Sequence, residues 1–444
     1  MKQKFIKIIT MRNLTRISLL VLLILFQNFY VFSNSSFPPY PEITFAVISD
    51  LHFYDPALGT EGKAFEEYTS NDRKLLKESV EILEEAITFI TETDADFVLI
   101  PGDLTKDGEK SGHEKVAEYL QKISDSGKKV YVIPGNHDIS NPSALRYMGD
   151  TKERVPNITP LEFSKIYTSF GYGEALSRDD HSLSYVVEPV DGLWILGLDA
   201  CRYNDNPAEG HPVTGGKLSR ETIQWLDEIL QEGNRKQKAM IAFMHHGVLE
   251  HYEKQKKFYG EYVIDNYKKV SAMLADHGVK IVFTGHYHAQ DITLKDFGEG
   301  SFISDVETGS LVTYPCPVRT VRLTRTQDMI IQSHFIENIP SVPDFKKYSR
   351  EYVHSGISGI AANTLIDMKV ESTEAWKLSG QVADAFVSHY SGDEVAPEKP
   401  LNMDGISFKG KFLIGFKKNL VKTLYHDLPP ADNFLEMKLI NPKP

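Results

Sequence analysis

Five short motifs carry the groups that could do chemistry: Asp50-x-His52, Gly102-Asp103, Gly135-Asn136-His137-Asp138, His245-His246 and Gly285-His286-x-His288. They offer carboxylate, amide and imidazole donors and no thiolate. A mixed N/O set suits Mn, Fe or Zn rather than Ca or Mg alone. Asp50, His52, Asp103, Asn136, His245, His286 and His288 are too many ligands for one tetrahedral ion. They suit two ions that share one carboxylate. Two ions about 3.5–4 Å apart clamp the attacking and leaving oxygens of an in-line displacement at phosphorus, and they make hydroxide available near neutral pH.

The elements that must position these groups are also visible. Each motif directly follows an apolar run, at residues 43–48, 97–100, 130–133, 239–244 and 279–283. Short apolar runs between turn or helix signals read as buried strands. In α/β sheets, ligands gather outside the carboxyl ends of strands. Five strands therefore deliver their motifs to one edge. Amphipathic stripes predict helices over 71–90, 115–123, 160–170, 219–231 and 264–277, and Asp191-Gly192 marks a hairpin turn. From 301 to 336 strand follows strand. Past residue 337, polar helical segments are expected around 344–356, 371–390 and 411–425.

The ordered set of motifs resembles the calcineurin-like metallophosphoesterase superfamily. The resemblance implies a four-layer αββα sandwich of α/β or α+β type, with a small helical domain appended. It implies that Asp50, His52 and His288 hold one metal ion and that Asn136, His245 and His286 hold the other. Asp103 corresponds to the bridge. His137 corresponds to the histidine that meets the phosphate and helps the leaving oxygen, with Asp138 orienting its ring. Two ions are implied, Mn and/or Fe first and Zn as the alternative. Gly102-Asp103-Leu104-Thr105 with Gly108-Glu109-Lys110, residues 163–167 and 170–172, and Gly215-Gly216-Lys217-Leu218 narrow the likeness. They resemble exported bacterial members of the class III cyclic-nucleotide phosphodiesterase branch, over about residues 43–400.

The expected function is hydrolysis of a cyclic nucleotide or another small phosphodiester by in-line attack of a metal-bridging hydroxide. A phosphomonoesterase on nucleotides or sugar phosphates is the alternative, and a metal-bound binding scaffold is the reading from outside the enzyme class. Monoesterases often add cations for the extra charge. Lys106, Lys110, Arg202 and Lys217 near the motifs do not decide between them. Beyond the ligands, His246, His113 and His251 are candidate substrate-binding residues beside His137.

The chain has 444 residues and 41% hydrophobic content, enough for one large core and a smaller domain. Its net charge of −12 disfavours nucleic acid as a partner. Lys2, Lys4, Lys7, Arg12 and Arg16 precede a short apolar segment at 17–26, which reads as a secretory signal over 1–33. The segment is short for a stable membrane span. A Ser/Asn/Pro linker over 34–42, a catalytic domain over 43–337 and a helical C-terminal domain over 338–444 follow. The expected location is periplasmic or extracellular, with an uncleaved N-terminal anchor as the alternative. Cys201 and Cys316 lie in no metal-spaced motif and read as buried thiols, although an exported protein could pair them.

Overall fold

A computed structural model of the chain describes residues 37–70, 72–415 and 418–439. The expected signal segment lies outside the described residues, as does the start of the linker. Strands β1 (Ile43–Val47), β2 (Phe97–Ile100), β3 (Lys129–Val132), β4 (Leu145–Met148) and β5 (Thr151–Arg154) come first. They are followed by β6 (Ser177–Arg178), β7 (Tyr185–Val190), β8 (Leu193–Leu198), β9 (Ala239–Met244) and β10 (Ile281–Thr284). The last are β11 (Asp291–Gly298), β12 (Ser301–Glu307), β13 (Pro317–Leu323), β14 (Asp328–Phe335) and β15 (Phe434–Lys438).

Two mixed sheets form the centre. The first runs β15-β14-β13-β1-β2-β3 and the second β11-β12-β10-β9-β8-β7-β6. Strands β1, β2 and β3 are mutually parallel, as are β8, β9, β10 and β12. Strands β2, β8, β9 and β10 are buried along their whole length. Such strands need cover on both faces, which explains their unbroken apolar runs. The sheets bury one shared core. Phe45 of β1 stacks on Phe97 at 4.7 Å and meets Phe283 of the other sheet edge-on at 5.3 Å.

Helices form the outer layers. The longer ones are α1 (Ser79–Glu92), α2 (Lys110–Asp125), α3 (Arg220–Arg235), α4 (Tyr267–Asp276), α5 (Phe345–Asp367) and α6 (Ser372–Ser391). In α3 the Ser219 hydroxyl accepts from the Thr222 N–H, and Leu226, Ile229 and Leu230 form the buried stripe. That stripe packs with Leu274 of α4 on the outer face of the second sheet. Ile82, Leu83 and Ala86 of α1, with Val116 and Leu120 of α2, cover the first sheet. The result is the expected helix–sheet–sheet–helix sandwich.

The helix expected over 71–90 begins only at Ser79. Asp72 Oδ1 accepts from the N–H groups of Arg73 and Lys74 at 2.7 and 3.1 Å. Leu75 N–H donates to the Val312 carbonyl at 2.7 Å. These bonds compete with a helical ladder and hold residues 72–78 as a loop. Helices α5 and α6 pack on each other and bury Val353, Leu378 and Val387 against Tyr252 and Tyr287. At Gly356 the α5 backbone runs so close to the Asp72 carbonyl that any Cβ would collide with it. Beyond two short helices, Phe408–Ile414 and Lys418–Thr423, the chain returns as β15 and pairs antiparallel with β14. The helical expectation for 338–444 did not include that strand.

Candidate metal centre

The carboxyl ends of β1, β2, β3, β9 and β10 meet at one edge, and each donates its motif there. Asp50, His52, Asp103, His286 and His288 all have left-handed φ, between +36° and +79°. Side chains rarely adopt this conformation, and where they persist in it the surroundings must over-determine it. Strain at five of the seven candidate ligands marks this turn cluster as functional. The glycine before His286 has a steric reason. A Cβ at Gly285 would collide with the Ser49 hydroxyl and the Asp50 carboxylate.

Two donor groups result. Asp50, His52 and His288 form one, and Asp103, His245 and His286 form the other. His288 Nε2 lies 3.4 Å from Asp50 Oδ1 and 3.1 Å from His52 Nε2. His245 Nε2 lies 3.1 Å from Asn136 Oδ1. Asp103 Oδ2 faces both groups, 3.6 Å from His52 Nε2 and 3.4 Å from His245 Nε2. A carboxylate between two sets of imidazoles is where two ions would share a ligand.

At His245 and His286 the outward ring nitrogens are occupied in a way that frees the inward ones. His245 Nδ1 donates to the Pro101 carbonyl at 2.9 Å, which leaves Nε2 as the lone pair facing Asp103 and Asn136. His286 Nε2 donates to the Thr214 carbonyl at 3.0 Å, which leaves Nδ1 free. Burial, helped by Lys74 at His52 and by His246 at His286, holds both rings well below the ordinary imidazole range. Burial opposes the Asp103 carboxylate, but His245, His137 and His52 hold it well below the usual carboxylate range. Neutral imidazoles and an ionised carboxylate are the ligating forms. Burial would depress His245, yet Asp103 pushes it up to about 9. That pull toward positive charge is one a metal ion would satisfy in place of a proton. The donor chemistry fits two ions.

His137 differs from the seven candidate ligands. Its side chain is 23% exposed, whereas the side chains of the candidate ligands are closed off. Its Nδ1 lies 2.8 Å from Asp107 Oδ1, so Asp107 orients the ring, not Asp138 as expected. The Asp138 carboxylate folds back to accept the N–H groups of Gly135, Leu104 and Thr105 at 2.8, 3.1 and 3.0 Å. It clamps two ligand loops together. Asp107 is in turn paired with the buried Lys106, which also faces Glu109 at 3.4 Å. Asn141 Nδ2 donates to Asp107 Oδ1 at 3.2 Å.

Three other histidines are placed differently from expectation. His113 is fully buried, with Nδ1 2.8 Å from the Tyr167 hydroxyl and Nε2 2.8 Å from the Asp138 carbonyl. It braces the Asp138 clamp from inside the core. His246 is buried beneath the 213–217 loop, with Nε2 2.9 Å from the Thr214 carbonyl. It packs against the His286 ring at 4.4 Å and supports a ligand instead of lining a pocket. His251 is buried among Asp291, Asp305 and Glu307, away from solvent. Cys201 and Cys316 are free thiols.

Sequence reasoning missed Asp107, Arg73 and Lys74. The loop over 72–78 places Lys74 where its charge is felt at His52 and His288, and Arg73 where its charge is felt at His288. Arg73 also lines a cavity of about 230 Å³ with Tyr262, Tyr287, Ile357, Phe386 and Tyr390. The Tyr262 ring lies 4.6 Å from the His286 ring, so the cavity shares a wall with the metal centre. No helix among the described residues is long and apolar enough to cross a membrane.

Several known proteins are similar to this chain. A curated relative, the uncharacterised metallophosphoesterase-like protein YydB of Bacillus subtilis (strain 168), is 26% identical over 252 residues. The match spans 51% of this chain and 48% of the relative, so the chain covers about half of that protein's length. Among solved structures, a dimetal phosphatase from Danio rerio shares 17% identity at a TM-score of 0.47, covering 67% of this chain and 97% of that one. A purple acid phosphatase from yellow lupin (Lupinus luteus) seeds shares 12% identity at 0.43, covering 69% and 54%. The family model for calcineurin-like phosphoesterases matches residues 43–290, the stretch that carries all seven candidate ligands. The chain belongs to the calcineurin-like phosphoesterase family, and its described residues include two adjacent donor groups that could each hold a metal ion.

Proposed function

We propose that the chain is a phosphodiesterase for small diesters carrying a planar or apolar substituent, cyclic nucleotides foremost. The observation that supports this reading is the aromatic cavity against His286. Tyr262, Tyr287, Phe386 and Tyr390 offer ring faces on which a base can stack while the phosphate sits at the metals. In this reading Asp50, His52 and His288 hold one ion, Asn136, His245 and His286 hold the other, and Asp103 bridges. Mn and/or Fe is the proposed pair, with Zn as the alternative. Bound ions supply Lewis-acid polarisation of the phosphoryl group and a nucleophile at neutral pH. Asp107 takes the hydrogen bond from His137 Nδ1–H, which leaves Nε2 to exchange a proton with the leaving oxygen.

A phosphomonoesterase is the second reading. Lys74 and Arg73 favour it, because a dianionic phosphate gains more from two nearby cations than a monoanionic diester does. A hydrolysis panel on metal-reconstituted protein decides between the two. Cyclic and linear diesters are expected to outpace monoesters, and a preference for monoesters would reverse the assignment. Loss of turnover in Asp103→Asn excludes both a contaminating activity and a pure binding scaffold. We further propose export to the periplasm or beyond, with a mature N-terminus starting at about residues 27–37. N-terminal sequencing reads this directly, and an intact Met1 or Met11 in a soluble pool would overturn it.

A further inference from the structure

A second buried group of imidazoles and carboxylates lies where the C-terminal helices meet the catalytic sheets. It is built from none of the residues of the paired centre. Asp291 opens β11, His389 lies in the last turn of α6, and Glu394 follows that helix. One donor atom from each lies within 4.8 Å of the others. Their side chains are only 4%, 2% and 2% exposed.

The environment leaves these groups short of partners. His251 Nδ1 holds Asp291 Oδ1 at 2.8 Å, so Oδ2 is the oxygen turned to His389, 3.9 Å from its Nδ1. Glu394 Oε1 meets His389 Nδ1, but Glu394 Oε2, His389 Nε2 and His251 Nε2 have no hydrogen-bond partner. A buried carboxylate oxygen with no donor is costly. Negative charge also accumulates here, beside His251 and the buried Arg319. Asp305 and Glu307 face His251 Nε2 at 3.4 and 3.7 Å. The buried Arg319 spends its guanidinium on the carbonyls of Asp432 and Glu307, at 2.5 and 2.8 Å, and not on their carboxylates.

We infer that Asp291, His389 and Glu394 form a further metal site that binds one divalent transition ion and ties α6 to the catalytic sheet. One imidazole and two carboxylates are a borderline N/O set, suited to Zn or Mn. The two carboxylate charges balance the ion. His251 fixes the Asp291 carboxylate from behind, as outer partners of metal ligands commonly do.

The test is a metal count on the full chain, stripped and reloaded with Zn²⁺. Wild type is expected to hold one more ion per chain than Glu394→Gln and than Asp291→Asn, while both variants keep the ions of the paired centre and their hydrolytic activity. Equal counts in wild type and a folded variant would overturn the site. Should both variants fail to fold, anomalous scattering from Zn-loaded wild-type crystals decides alone. A peak about 2.0–2.2 Å from the three donor atoms is expected. Its absence while the paired centre is filled would overturn the inference. Failure of the phosphodiesterase reading leaves both measurements unaffected.

Discussion

His137 Nδ1 sits 2.8 Å from Asp107 Oδ1, although thirty residues separate the two. The carboxylate adjacent to His137 in sequence, Asp138, turns the other way and holds the backbone of Gly135, Leu104 and Thr105. The two acids therefore have separable duties, one on the exposed imidazole and one on the loops that carry the metal ligands.

Asp107→Asn is expected to reduce kcat with both metals retained, and also to lower the melting temperature, because it leaves the buried Lys106 with Glu109 alone. Burial lowers His137, and Asp103 and Asp107 together raise it above the ordinary imidazole value. Losing the Asp107 charge lowers it, so the alkaline limb of the kcat profile should move to lower pH. Asp138→Asn should cost stability with less effect on kcat, by about 1–3 kcal/mol, because both Asp138 oxygens accept loop N–H groups and the amide NH2 can replace neither as an acceptor. Kinetics and thermal melts on the two variants check this, and identical phenotypes would contradict it.

His137→Ala should keep its metal content and lose turnover by about 10²–10⁴-fold, the usual worth of a general acid. Metal analysis beside steady-state kinetics reads both quantities. A variant that loses an ion would make His137 a ligand.

Asp103→Asn should abolish hydrolysis and lower the metal count, because one carboxylate oxygen faces both donor groups. Mass-spectrometric metal counting against wild type is the readout. Full metal retention with full activity would remove Asp103 from the bridge.

Burial pushes His113 down to about 3, against a weaker opposing bond to the Asp138 carbonyl. The folded state therefore binds a proton at this ring less readily than the unfolded chain. Its stability is fully present above about pH 6.5 and falls by about 1.4 kcal/mol per pH unit as pH drops toward 3. Chemical denaturation between pH 7 and 5 should show a slope to which the depressed His52, His246, His286 and His288 also contribute, and His113→Gln should reduce that slope by His113's share without abolishing it.

Phe386→Ala should raise KM for diesters with an aromatic substituent several-fold and leave hydrolysis of a methyl ester nearly unchanged. The side chain lines the cavity beside the metal centre. Unchanged KM across the ester series would separate that cavity from the substrate.

The candidate ligand set was legible because its information is local. A strand's apolar run and the two to four residues after it suffice to place Asp50, His52, Asp103, Asn136, His286 and His288 at one sheet edge. The hairpin at Asp191-Gly192 was legible for the same reason. Helix starts were less so, because the Asp72 carboxylate and the distant Val312 carbonyl compete for the backbone that periodicity assigned to a helix.

What tertiary structure alone decided is which polar groups face each other. Neighbours on a turn point apart, so Asp138, which the family resemblance assigned to the His137 ring, faces the loop backbone and Asp107 meets the ring. His113, His246 and His251 each look like site histidines in the chain. They become brace, support and cluster member only once the Asp138 carbonyl, the Thr214 carbonyl and Asp291 arrive beside them. The pairing of Asp291 with His389 and Glu394 joins groups about a hundred residues apart, through the packing of α6 on the sheets. Residue types and local spacing determine what chemistry is available. Only burial and long-range approach decide which imidazole stays neutral, which carboxylate finds a donor and which waits for a cation.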